Sequence, residues 1–180
     1  MRTRSTLTAQ ELDLAVCLWF NRIHSRINWV RFLRAVSRLG DGPAWYALAA
    51  ALPLRYGVSG LRTVAQMAIA AIAGLLLYKG IKRLTGRERP CRAHPRIVQA
   101  AVALDRYSFP SGHTLHAVSF AILGAHYLPA LAAPLAAFAF LVALSRVVLG
   151  LHYPTDVAAG AFLGGGLACA SLKIVESVAL

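Results

Sequence analysis

"YSFPSGHTLHAVSFAILGAHYLPALAAPLAAFAFLVALS", residues 107–145, contains no Lys, Arg, Asp or Glu. These 39 uncharged positions between Arg106 and Arg146 are enough for two passes through a hydrocarbon core, each taking about 20 residues. Pro129 and Pro134 mark the hinge between the passes. The first pass opens on Pro110-Ser111-Gly112-His113, which reads as a helix start: Pro110 stiffens the entry, Ser111 can cap, and Gly112 leaves backbone amides open. Taken alone, that tetrapeptide is a capped helix with an incidental histidine.

The rest of the chain has the same character. Of 180 residues, 58% are hydrophobic and 14% charged, and the mean hydropathy is +0.58. Soluble domains carry about 45–50% and about 25%. The composition is that of a membrane protein of one domain. Nineteen Lys+Arg against seven Asp+Glu give a net charge of +12. Long uncharged stretches between the basic clusters argue against nucleic acid and for anionic lipid or phosphate as the partner. Cys17, Cys91 and Cys169 are scattered and imply neither a disulfide framework nor a zinc site. The opening MRTRSTLTAQELD turns acidic before any apolar run, so no cleavable leader is expected.

Residues 10–39 sort their apolar and basic positions best as two short helices broken near His24–Asn28. In the second, Val30, Leu33 and Val36 share one side, while Arg31, Arg34 and Arg38 gather on the other. Residues 1–41 are therefore expected to form an amphipathic, interfacial segment, and 42–180 a transmembrane helical core. The apolar stretch between Asp41 and Arg55 is short for a span and needs its flanking arginines to snorkel. Residues 63–78 form a clearer span, and a last one runs from about Asp156 to Lys173, with the Gly and Ala content that favours close helix packing. The fold expected is an all-α polytopic bundle of about five to six helices.

In an up-down bundle consecutive helices alternate in direction. The helix ending near Lys82, the one starting at Gly112, the one ending at Arg146 and the one starting near Asp156 then meet on one membrane face. Three polar clusters converge there: KRLTGRERP (82–90), PSGH (110–113) and SRVVLGLHYPTD (145–156). Their pattern, K-x6-R-P, then P-S-G-H, then S-R-x5-H-x3-D, resembles that of the type 2 phosphatidic acid phosphatases, which share a fold and site with vanadium haloperoxidases and some bacterial acid phosphatases. The match is close over roughly residues 75–160.

The residue types suit the chemistry. Metal-dependent phosphatases hold ions with clustered carboxylates, whereas here the acids are spread along the chain and only Asp156 is placed at the site by this topology. Lys82, Arg89 and Arg146 supply cations instead, so no metal or other cofactor is expected. The Ser111-Gly112-His113 turn sets a helix N-terminus, and the Ser111 hydroxyl, against the phosphate. The resemblance implies His152 as nucleophile, His113 as general acid, and Asp156 as the carboxylate that fixes the His152 tautomer. It also implies a phospholipid or polyprenyl phosphate substrate: undecaprenyl diphosphate, phosphatidylglycerol phosphate, phosphatidic acid and lipid A phosphates share this headgroup chemistry. A vanadate-dependent oxidase and a non-catalytic polytopic protein are the alternatives.

Other positions carry blander expectations. Lys79, Arg83, Arg87, Arg92 and Arg96 read as interfacial anchors, Trp19, Trp29 and Trp45 as belt residues, and His24, His94, His116 and His126 as structural. Thr155 reads as a cap for the last helix. Arg55 and Arg62 favour a cytoplasmic loop before residue 63. With the resemblance, this places the site on the outer face of a bacterial cytoplasmic membrane, in contact with membrane lipids. The sequence leaves the oligomeric state open.

Overall fold

The computed structural model describes residues 8–178. The first seven residues of the expected N-terminal segment, where no cleavable leader is expected, and residues 179–180 of the expected core lie outside these. Regular structure among the described residues is helical: α1 (Ala9–Asn21), α2 (Ile27–Gly40), α3 (Pro43–Thr85), the single turn α4 (Pro90–Ala93), α5 (Gly112–Tyr127), α6 (Ala132–Val148) and α7 (Pro154–Val178). A 3₁₀ turn at Arg22–Ser25 separates α1 from α2, where the sequence places the break. Thr8 and Glu11 close a capping box on α1, and Val30, Leu33 and Val36 form the buried face of α2.

The 43 residues of α3 would reach about 64 Å if straight, twice the ~30 Å of a hydrocarbon core. They do not run straight. Gly57 adopts φ 55°, ψ −128°, a conformation open to glycine alone, and the helix folds back on itself there. Gly60 consequently lies against the backbone of Leu52. Asp41, just before α3, and Lys82, near its end, line the same pocket, which only a hairpin allows. The two limbs, 43–56 and 58–85, resolve the short stretch after Asp41: it is the first limb of the hairpin, with Arg55 and Arg62 flanking the bend. Among the described residues, three helices are long and apolar enough to cross a membrane: Pro43–Thr85, Pro129–Val148 and Pro154–Ser177.

α5 is the central element, with α3, α6 and α7 packed around it. Gly160 and Gly164 of α7 lie against the carbonyls of Ser111 and Leu115, an approach that any side chain would prevent. The hinge after α5 is a 3₁₀ turn at Pro129–Leu131, and Pro134 falls inside the first turn of α6. Trp45 departs from its expected place in an interfacial belt. It is buried, edge-on to Phe120 and Phe138, and donates through Nε1 to the Gly40 carbonyl, because the α3 hairpin turns the start of the first limb inward. Trp19 and Trp29 do face outward.

The hairpin makes a stability difference between two glycines of the second limb. A methyl at Gly60 meets backbone that cannot retreat, whereas Gly80 has open space around it. Gly60→Ala is expected to cost about 1–3 kcal/mol and to lower the melting midpoint in detergent. Gly80→Ala should leave that midpoint unchanged or raise it slightly. Equal midpoints for the two variants would contradict the fold-back.

Candidate active site

The ends of α2, α3 and α6, the starts of α5 and α7, and the loops at 86–111 and 149–153 meet at one end of the bundle. Lys82, near the end of α3, is buried and donates from Nζ to both carboxylate oxygens of Asp105 (2.8 Å each) and to the Tyr107 carbonyl (2.9 Å). Gly86, in the left-handed conformation, ends α3 and turns the chain toward Arg89. Arg89 is 1% exposed and uses its whole fork. Nη2 reaches Asp105 Oδ1 (2.7 Å), Nε the Asp105 carbonyl (3.0 Å), and Nη1 both the Leu151 carbonyl (2.8 Å) and His152 Nε2 (3.1 Å).

That last contact sets the state of His152. A guanidinium can only donate, so Nε2 accepts with its lone pair and the ring proton belongs on Nδ1. Burial, then the neighbouring Arg146, Arg89 and Lys82, hold the imidazole well below its ordinary pKa. The ring is therefore neutral through the physiological range. Nδ1 lies 3.6 Å from Asp156 Oδ2, within ion-pair reach but longer than a hydrogen bond. The Asp156 carboxylate is chiefly committed elsewhere: Oδ2 accepts from the Tyr153 amide (2.8 Å) and Oδ1 from Arg87 Nη1 (2.7 Å). The helix-start contact to α7 is thus made by Asp156 to Tyr153. Thr155, expected as the cap, instead hydrogen-bonds to Asp13 and Arg87.

Arg146 is 1% exposed. Its Nη1 bonds the Ser37 hydroxyl, while Nε and Nη2 have no hydrogen-bond partner among the described residues. His113, in the first turn of α5, pairs through Nε2 with Asp41 Oδ1 and falls within electrostatic reach of Arg146, His152, Arg89 and Lys82. Burial raises the Asp41 carboxyl above its usual range, against the opposing pull of Arg146 and Arg38. Asp41 therefore holds its proton more readily than a free carboxyl does. Ser111 caps α5, accepting from the Thr114 amide and hydroxyl, and its own amide bonds the Asp156 carbonyl. Gly112 lies against the Tyr78 ring, where a side chain would crowd it.

All eight residues singled out from the sequence lie at this end of the bundle, in two tiers. Lys82, Arg89, Gly112 and His113 line a cavity of about 140 Å³. Ser111, Arg146, His152 and Asp156 are buried and do not line it.

The acids depart from expectation. Asp156 is joined at the site by Asp41, Asp105 and Asp13, the last paired with Arg87 (2.7 Å). Arg87 is not a free interfacial anchor: it bridges Asp13 and Asp156 and lies over the Tyr153 ring. His116 also lines the cavity, edge-on to Tyr78 and stacked on Phe120. The signal available for Asp41 was its position in LGDGP, an acid at a helix break between apolar segments. Asp105, four residues before the Phe109-Pro110 step, carried none.

Comparison with known proteins points to one family. The family model described as the PAP2 superfamily matches residues 63–178. The chain is 40% identical over 132 residues to the decaprenylphosphoryl-5-phosphoribose phosphatase of Mycolicibacterium smegmatis, covering 71% of this chain and 68% of that protein. Against four further curated relatives it spans between 40% and 55% of their length. The crystal structure of a transmembrane PAP2 type phosphatidylglycerolphosphate phosphatase from Bacillus subtilis superposes with a TM-score of 0.75 at 25% identity, over 96% of this chain and 89% of that one. Aquifex aeolicus LpxE shares the fold, with a TM-score of 0.79 at 24% identity over 96% and 99%.

Asp105 sets up a test of the cationic seat. Burial works to raise its carboxyl, but the pairing with Lys82 and Arg89 wins and holds it below the usual carboxylate range. Asp105→Asn leaves two buried cations short of countercharge. The expected cost is on the order of 1–3 kcal/mol, less than for a fully buried pair because Asp105 is 40% exposed. Millimolar phosphate or vanadate should then raise the melting midpoint of D105N by more than that of the parent protein. An equal response in both would show that these cations do not receive the anion.

Proposed function

The chain is a membrane phosphatase belonging to the PAP2 superfamily, and on that premise we propose that it hydrolyses the phosphomonoester or diphosphate headgroup of a phospholipid or polyprenyl phosphate through a phosphohistidine on His152. The observation that carries this reading is the guanidinium of Arg146, buried with two unbonded donors at the same end of the bundle as His152. Orphan donors of a buried cation are costly, and a tetrahedral oxyanion satisfies them.

The phosphoryl group takes the place of the Asp105 carboxylate on Lys82 and Arg89. Arginine forks and a lysine point charge then offset its negative charge. At an effective dielectric near 20, each close charge pair contributes about 4 kcal/mol before desolvation. Three cations therefore do electrostatically what a bound metal does elsewhere, and each carboxylate at the site is already paired with a cation or a histidine.

The Nε2 lone pair of His152 attacks phosphorus, and the bond from phosphorus to the leaving oxygen breaks. That oxygen takes a proton from the ring of His113, which is replenished at Nε2 by the proton that the Asp41 carboxyl holds. Water then attacks the phosphohistidine and loses a proton to His113, the P–N bond breaks, and inorganic phosphate departs. His152 returns to its neutral form. Asp156 acts at 3.6 Å as a countercharge to the ring while holding the start of α7. The cavity lies at the end of helices that cross the membrane, so a lipid headgroup reaches it with its tails still in the bilayer.

His152→Ala is expected to abolish phosphate release from lipid substrates in detergent micelles while the protein still elutes as a single species on size exclusion. Unchanged turnover would remove the nucleophile assignment. The parent enzyme should keep full activity in excess EDTA, and a strict magnesium requirement would contradict the cationic seat.

A further inference from the structure

Beside the catalytic cavity lies a second, larger one of about 460 Å³ that the reaction above does not use. Arg34, Ser37, Arg38, Asp41, Gln99 and Leu104 help to line it, and Asp41 and Leu104 line the catalytic cavity as well. The two are compartments of one cleft. The catalytic compartment, at about 140 Å³, has room for a phosphoryl group and little more. The remainder of a headgroup has to extend into the space next to it.

That space is cationic by construction. Arg34, Ser37, Arg38 and Asp41 follow the spacing i, i+3, i+4, i+7 and form one stripe along α2. Its lower half belongs to the catalytic machinery, since Ser37 bonds Arg146 and Asp41 pairs with His113. Its upper half is the two arginines. Arg34 is steadied by donation from Nε to the Ala100 carbonyl (2.8 Å), and neither arginine forms an ion pair with a carboxylate among the described residues. Asp105, which lines the catalytic compartment, is committed to Lys82 and Arg89. Arg38 stands one helical turn from Asp41 and Arg34 one turn further, so a bound anion would lie roughly 5–11 Å from the His113–Asp41 pair.

We propose that Arg38, with Arg34, binds a second anionic group of the substrate headgroup, so that the preferred lipid carries its scissile phosphomonoester on a short polyol attached through a phosphodiester. This rests on the lipid phosphatase reading and narrows its substrate class. A chain of three to five carbons between the phosphates matches the stripe, and the hydroxyls of such a linker face Ser37 and Gln99. The competing source of the same chemistry is bulk membrane phosphate, for which an amphipathic helix would use arginines as anchors.

The test compares dioleoyl phosphatidylglycerol phosphate, with both phosphates, and dioleoyl phosphatidic acid, with the monoester alone, in identical detergent micelles. Phosphate release from either by the parent enzyme establishes the underlying activity; release from neither, with a polyprenyl diphosphate hydrolysed in the same micelles, overturns this inference alone, and release from none of the three overturns both readings. Given activity, Arg38→Gln should lower kcat/KM for phosphatidylglycerol phosphate about tenfold, mainly through KM, and for phosphatidic acid less than twofold. Arg38→Lys should restore part of the difference. An equal fall on both lipids would identify Arg38 as a bulk-lipid anchor, and no fall on either would leave it without a binding role; either result overturns the inference.

Discussion

Burying three cations and an uncharged imidazole together in an apolar bundle is the constraint on which the rest of the structure depends. Lys82, Arg89 and Arg146 are each 5% exposed or less. Like charges in a low-dielectric interior repel strongly, and each has lost most of its hydration. Such a cluster persists only where anions complete it. Asp105 supplies one for Lys82 and Arg89, whereas Arg146 has one hydrogen-bond partner among the described residues, the Ser37 hydroxyl. The fold thus maintains a standing demand for negative charge at the end of the bundle, and a phosphate ester meets it.

The same demand explains how the scaffold is tied together. The N-terminal helices do not merely lie beside the core. Asp13 of α1 accepts from Arg87 and Thr155, Asn21 spans to the carbonyls of Val98 and Val148, and α2 contributes Ser37 and Asp41 to the site itself. Arg87 joins α1 to α7 by bridging Asp13 and Asp156, which in turn secures the loop that presents His152. Electrostatics at the site and tertiary attachment of the amphipathic segment are one network. Charge satisfied between distant elements here gives local rigidity, as pre-organised sites require.

Much of this was legible in the sequence. The charge-free run at 107–145 and the three polar clusters gave the bundle and the meeting of Lys82, Arg89, His113, Arg146 and His152 at one end, because helix alternation is a matter of length and loop size. The partners were less so. Asp41, Asp105 and Asp13 lie 72, 23 and 74 residues from the groups they bind, with no periodicity to link them. The α3 hairpin hid in a pattern that looked like one weak span followed by one strong span, since a single positive-φ glycine carries the reversal. Trp45 was misplaced for the same reason: an aromatic near a span end reads as interfacial until the fold-back is known. Arg87 looked like an anchor because its two carboxylates come from opposite ends of the chain.

A structure of the protein crystallised with orthovanadate examines the anion seat most directly. Vanadium should be bonded to Nε2 of His152, its oxygens facing Lys82, Arg89 and Arg146, with the Asp105 carboxylate displaced from Lys82. Vanadate held elsewhere, with Asp105 still bridging Lys82 and Arg89 over an unmodified His152, would contradict it.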